Sequence, residues 1–268
     1  MKIIWPNNIT AVTASSEESN YAAEMVLNNW PGAVWKAGAT TAQTLTVTVA
    51  APEAVHLGYT NFGGTLTYTT KDSVGATIAT GTLTPCMDQQ GKYHFWLDIS
   101  PSGGGDVSVW DTGAWDTGAW DTGVWDTSGG SGSAIASIVF GFGAVSTAVT
   151  VGVVRAGVVT DLGHPNYGMG DGLEDYSVEA ELNSGGIYTI DRGVARVVAG
   201  EILTTRNANG TDPLVSLAAS IKAGAFSVMV IDDPEELLLA RFPKDGRPEA
   251  SRDYPLYNTV SFALREAI

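Results

Sequence analysis

Thr44-Leu45-Thr46-Val47-Thr48-Val49 places an apolar side chain at every second position. Successive side chains of an extended chain point to opposite faces, so this period of two reads as a strand with one face buried and one in water. The pattern returns at Leu66-Thr67-Tyr68 and Ile78-Ala79-Thr80, each run bounded by Gly or Pro, and KYHFWLDI (92–99) is a further strand. Residues 135–142 and 145–154 read as an antiparallel pair turning at Gly143-Ala144. Working back toward the N-terminus, Ser15-Ser16-Glu17-Glu18 followed by 22–27 predicts a turn leading into a brief helix.

Beyond Arg155 the glycine-rich stretch DLGHPNYGMGDGLEDYS (161–177) predicts an ordered loop or linker. Residues 188–193 and 194–204 then read as strands, 213–221 as a short helix, 226–231 as a buried strand and 257–264 as the closing strand. The expectation is an all-β protein in two parts, a β-sandwich over 1–155 and a smaller β-rich assembly domain over 156–268. Composition agrees. With 44% hydrophobic and 16% charged residues the chain can bury a core. Its 32 glycines, with abundant Thr, Ser, Val and Ala, suit short strands and tight turns better than long helices.

The formal charge of −15 repels phosphate backbones and anionic head groups, so nucleic acid is excluded as a partner class. The acidity reads first as solubility at high local concentration, and second as attraction for a cation or basic partner. The single cysteine, Cys86, can form no intramolecular disulfide and no thiolate metal site by itself, and reads as a small buried apolar residue. The N-terminus has only a three-residue apolar run before Pro6, so no signal peptide is expected. The apolar stretch 134–154 is broken by Ser137, Ser146 and glycines at 141, 143 and 152, which predicts strands and no membrane span.

An insertion over about 108–128 repeats Trp-Asp-Thr-Gly every five residues, within VWDTGAWDTGAWDTGVWDTSGGSGS (109–133). A period of five matches neither a helix face nor a strand face, so each Asp-Thr-Gly reads as a turn, with Asp capping local N–H groups. The indoles of Trp110, Trp115, Trp120 and Trp125 are flat platforms suited to a sugar ring or a partner surface, and Asp111, Asp116 and Asp121 could bond sugar hydroxyls. These seven are the candidate glycan- or partner-contacting residues. The competing reading packs the indoles on one another, on the sandwich or at a symmetry axis. A third has the repeat tolerated at a loop tip. Calcium needs a turn that returns several carboxylates to one point, for which the five-residue period of Asp111, Asp116, Asp121 and Asp126 offers no precedent. The acids of 171–175 could supply a cation site but read first as solvated, so no metal site is expected.

Chemistry is hard to find. His56, His94 and His164 are widely separated and form no H-E-x-x-H pattern, and there is no G-x-S-x-G elbow or phosphate loop. His94, among Tyr93, Phe95 and Trp96, reads as a satisfied structural histidine. Paired carboxylates would converge only in three dimensions, and no acid is marked out by its neighbours. The expectation is a protein that is no enzyme, with no catalytic residue and no cofactor.

The N-terminal phrase, an early Trp5, then TASSEESNYAAEMVLNN and the closely following VWKAG, resembles proteins of bacteriophage and prophage tails that open on a discoidin-like, carbohydrate-module-like β-sandwich. Ala23 stands where the related phrase usually has Pro. The resemblance covers 1 to about 40 in motif and the first 155 residues in general plan. The 161–193 connector and the ending LYNTVSFALREAI are also similar to the second half of such proteins. It implies a jelly-roll or discoidin-like sandwich in a tail-tip or tail-fibre-associated virion protein. That protein would be made in the bacterial cytoplasm and assembled with other virion tail proteins as a homo-oligomer around the tail axis, in contact at the extreme with a host surface glycan.

Overall fold

The computed structural model describes residues 1–88, 90–99, 134–166, 168–181, 187–190, 194–205, 211–231, 237–244, 246–251 and 257–267. In chain order, β1 (Lys2–Asn7) and β2 (Ile9–Ala14) are followed by a 3-10 helix (Ala23–Leu27) and by β3 (Trp35–Lys36), β4 (Gln43–Val49), β5 (Ala54–Thr60) and β6 (Leu66–Lys71). Then come β7 (Thr77–Leu83), β8 (Cys86–Met87), β9 (Tyr93–Asp98), β10 (Ser137–Phe142), β11 (Thr150–Val151), β12 (Val153–Asp161) and β13 (Gly170–Asp175). The remainder is β14 (Val178–Glu181), β15 (Ile187–Ile190), β16 (Val194–Thr205), α1 (Pro213–Ile221), β17 (Phe226–Met229), β18 (Leu237–Arg241), β19 (Glu249–Ser251) and β20 (Tyr257–Glu266). The protein is all-β, with one α-helix among the described residues.

A five-stranded antiparallel sheet, β2-β4-β10-β6-β7, packs on one part of an eleven-stranded sheet ordered β13-β16-β20-β18-β17-β1-β12-β5-β9-β8, to which β19 adds beside β20. Burial along β4 alternates strictly, as its sequence predicts. Leu45, Val47, Ile138 and Phe140 from the smaller sheet meet Val55, Leu57, Phe95 and Val154 from the larger, and Trp35 joins the same core. Each such large side chain, fully removed from water, contributes at most about 1.5–3 kcal/mol. The arrangement is a β-sandwich.

The larger sheet runs without a gap across residue 155, because β1 lies between β12 and β17 and pairs with both. A second apolar cluster gathers around α1, with Leu214 and Ile221 meeting Val198, Ile202, Phe226 and Val260. The helix starts where its sequence says. Asp212 accepts from the N–H groups of Leu214 and Val215 at 2.8 and 3.3 Å, and Pro213 occupies the first turn where its missing N–H is harmless.

Three local expectations change. Residues 135–142 and 145–154 are no hairpin: β10 pairs with β4 and β6 in the smaller sheet, whereas β11 pairs with β3, and β12 with β5 and β1. Stretches adjacent in sequence go to opposite layers because each has an apolar set that only the core between the sheets can cover. The connector supplies β13, which pairs with β16 at the end of the large sheet. Cys86 is half-buried on β8.

Candidate functional site

The seven repeat residues, Trp110, Trp115, Trp120, Trp125, Asp111, Asp116 and Asp121, lie outside the described residues. What the fold assembles elsewhere is a buried polar chain and a cleft beside it. Ser227 Oγ lies 2.6 Å from His56 Nδ1, His56 Nε2 lies 3.0 Å from His94 Nδ1, and His94 Nε2 lies 3.0 Å from Asp88 Oδ2. Ser227 and both histidines are buried. β17 and β5 are three strand spacings apart in the sheet order, about 14 Å if the sheet were flat, so the Ser227–His56 bond exists because the sheet curls.

One proton arrangement satisfies every link with both rings neutral. The Asp88 carboxylate accepts from His94 Nε2–H, His94 Nδ1 accepts from His56 Nε2–H, and His56 Nδ1 accepts from the Ser227 hydroxyl. Burial, then His94, then Arg155 hold the His56 imidazole well below its ordinary pKa. Burial by itself would raise the Asp88 carboxyl, but hydrogen bonds from His94 and from the N–H groups of Lys92 and Gln90 outweigh it and hold the group below the usual range. His94 is therefore bonded at both nitrogens, as the structural reading of its sequence neighbourhood expects.

A second arm starts at Tyr59, whose hydroxyl donates to Glu266 Oε1 at 2.9 Å and accepts from the Leu239 N–H at 3.2 Å. Glu266 Oε2 accepts from Gln90 Nε2 at 2.9 Å and from the Arg196 N–H at 3.1 Å. Burial, with Glu266 alongside, pushes the Tyr59 phenol well up. These bonds tie β5 to β16, β18 and β20. Tyr59 sits at a β-bulge with φ of +54°, a conformation rare for an aromatic residue.

Above Tyr59 opens a cleft of about 340 Å³ walled by Trp30 and Val34, with Gln90, Lys92 and Thr150 on its rim. The N-terminal phrase shapes this region. The Trp35 indole N–H donates to Ser16 O at 3.1 Å, Glu17 Oε1 accepts from the Ala23 N–H at 2.9 Å, and the Ser15 and Ser16 hydroxyls both donate to Gln43 Oε1. Buried Arg155 donates through Nη1 to Leu27 O at 3.0 Å and through Nη2 to Asn28 O and Asn29 Oδ1 at 2.8 Å each.

Acids of 171–175 do not converge. Asp171 forms a two-bond pair with Arg196, at 2.9 and 2.7 Å, and Glu174 pairs with Arg265 at 2.5 Å. Among the described residues no three His, Cys, Asp or Glu side chains gather to hold a metal ion, and no helix is long and apolar enough to cross a membrane. Sequence reasoning missed the His56–His94–Ser227 chain because no local signal marks it: its links join residues 38 and 171 positions apart. No protein-family model matches this chain, and no curated protein matches it.

Proposed function

We propose that this chain is a structural component of a bacteriophage tail tip, associated with the baseplate or fibre. It acts by assembling with other virion tail proteins, as a homo-oligomer around the tail axis, and by attaching to the host surface. The supporting observation is the part played by the phrase that carries the resemblance. Ser15, Ser16, Glu17 and Trp35 are the residues that stitch the 3-10 helix and β3 onto the sandwich. The likeness thus rests on residues that build a fold rather than on surface composition.

A binding role suits the buried chain better than catalysis does. Ser227 is bonded to an imidazole, as a nucleophile would be, but it is wholly shielded from solvent, so no substrate carbonyl can approach it in this conformation. Immunogold labelling of particles from the phage that encodes the gene tests the proposal. Label at the tail tip is expected, and particles devoid of the protein would overturn it. Replacing Trp115 and Trp120 by Ala separates roles for the repeat. Reduced host adsorption assigns it to attachment, and defective assembly assigns it to subunit contacts.

The alternative, a carbohydrate-binding module for a bacterial surface glycan, is favoured by one feature of the described residues, the exposed Trp30 indole at the cleft.

A further inference from the structure

Trp30 is 58% exposed, at the tip of a loop. Apolar rings are costly to leave in water, and an indole on a mobile loop would be tolerated more easily than one whose loop is fastened down. This loop is fastened at several points. The carbonyls of Leu27 and Asn28 and the side chain of Asn29 are gripped by buried Arg155. The Ala33 N–H closes a turn onto Trp30 O at 3.1 Å. At Gly32 a Cβ would fall 2.5 Å from Trp30 Cζ2, so the ring packs closely against this glycine, and at Gly152 a Cβ would fall 2.6 Å from Pro31 O. Two glycines and a desolvated guanidinium hold one indole in place.

The cleft floor carries a second, independent sign. Tyr59 holds its left-handed backbone at the bulge because its hydroxyl is pinned by Glu266 and Leu239. Strain of this kind persists where the surrounding structure over-determines it, and it gathers at ligand sites. A preorganised aromatic wall and polar groups on the rim suit a ligand with an apolar face and hydrogen-bonding edges. That description fits a pyranose ring, whose C–H face stacks on indole while its hydroxyls reach Gln90 and Thr150.

The charge on the rim narrows the class. In a protein of formal charge −15, the charged side chain among the described lining residues is the cation Lys92. It is exposed and its ammonium has no partner among the described residues. We infer that the Trp30 cleft binds an acidic saccharide, a uronic-acid-type sugar whose ring stacks on Trp30 and whose carboxylate pairs with Lys92. The inference rests on the attachment part of the proposed function and moves the glycan site from the repeat to this cleft.

Calorimetric titration of the full chain with a galacturonic acid trimer and with the uncharged galactose trimer tests it. The acidic trimer is expected to bind more tightly, and Trp30→Ala, a surface change, should weaken it about tenfold or more. Lys92→Gln should weaken it roughly two- to five-fold and abolish the preference for the acidic sugar, with the wild-type preference shrinking in high salt. Binding of neither trimer, binding untouched by Trp30→Ala, or equal binding of both trimers would each overturn it. Failure here with the protein still present at the tail tip leaves the virion proposal standing. Binding of the acidic trimer by a protein absent from the particle does the reverse.

Discussion

His56 and His94 lie edge to edge, with ring centroids 5.3 Å apart and planes 13° from parallel, and His56 Nε2 is 3.0 Å from His94 Nδ1. Only one ring can donate across that gap. A proton added to His56 would sit on a buried ring, close to the charge of Arg155.

This predicts acid sensitivity. The folded state keeps His56 neutral, whereas an unfolded chain takes up that proton near pH 6.5. The unfolded state therefore binds more protons as pH falls below about 6.5, and stability declines from there toward the depressed His56 pKa. Asp88 adds a second loss at lower pH, since its folded pKa is also depressed and its contribution fades as the carboxylate is protonated. Thermal midpoints recorded from pH 7.5 to 5 should drop, and His56→Phe should flatten the drop. A midpoint that does not move in this range rules the account out.

Ser227→Ala removes the donor to His56 Nδ1 and leaves a buried acceptor without its bond. The expected loss is about 1–3 kcal/mol in urea unfolding. A loss under about 0.5 kcal/mol would mean that Ser227 is not what satisfies this nitrogen.

Two glycines offer a matched contrast. A Cβ at buried Gly157 would fall 1.9 Å from Pro6 O, where β12 crosses β1, whereas nothing lies within 4 Å of one at Gly143. Gly157→Ala should cost about 1–3 kcal/mol or more, and Gly143→Ala should stay within about 0.5 kcal/mol of wild type. Equal midpoints for the two variants would contradict the close approach of these strands.

Arg155→Met strips the acceptors at 27–29 of their donor, with an expected loss of about 3 kcal/mol. Arg155→Lys keeps the charge but cannot reach separate acceptors with a planar fork, and should recover little of it. Hydrogen exchange at residues 27–34 reads the same clamp locally. Unaltered protection there in Arg155→Met would show that the loop is held by other means.

Strands with one wet face were legible; of those with none, β17 was read from its short apolar run, whereas β5 and β18 were not. β4 announces itself because its buried and exposed positions alternate, and α1 does so through Asp212 and Pro213. β5 is buried at all seven positions and β18 at four of five, so neither carries the alternation that marks a strand. The end of the 92–99 strand and the start of the closing strand were likewise placed to within a few residues, because their apolar runs are bounded locally.

By itself the sequence determined that this chain is all-β. Period and capping are local properties, written in neighbours a few residues apart. Only the tertiary structure decided that Ser227 would meet His56, that Tyr59 would reach Glu266 across 207 positions, and that Arg155 would hold the loop bearing Trp30. Those contacts depend on how far the large sheet curls and on which layer each strand joins, and both are set by the summed burial of the whole chain rather than by any stretch of it.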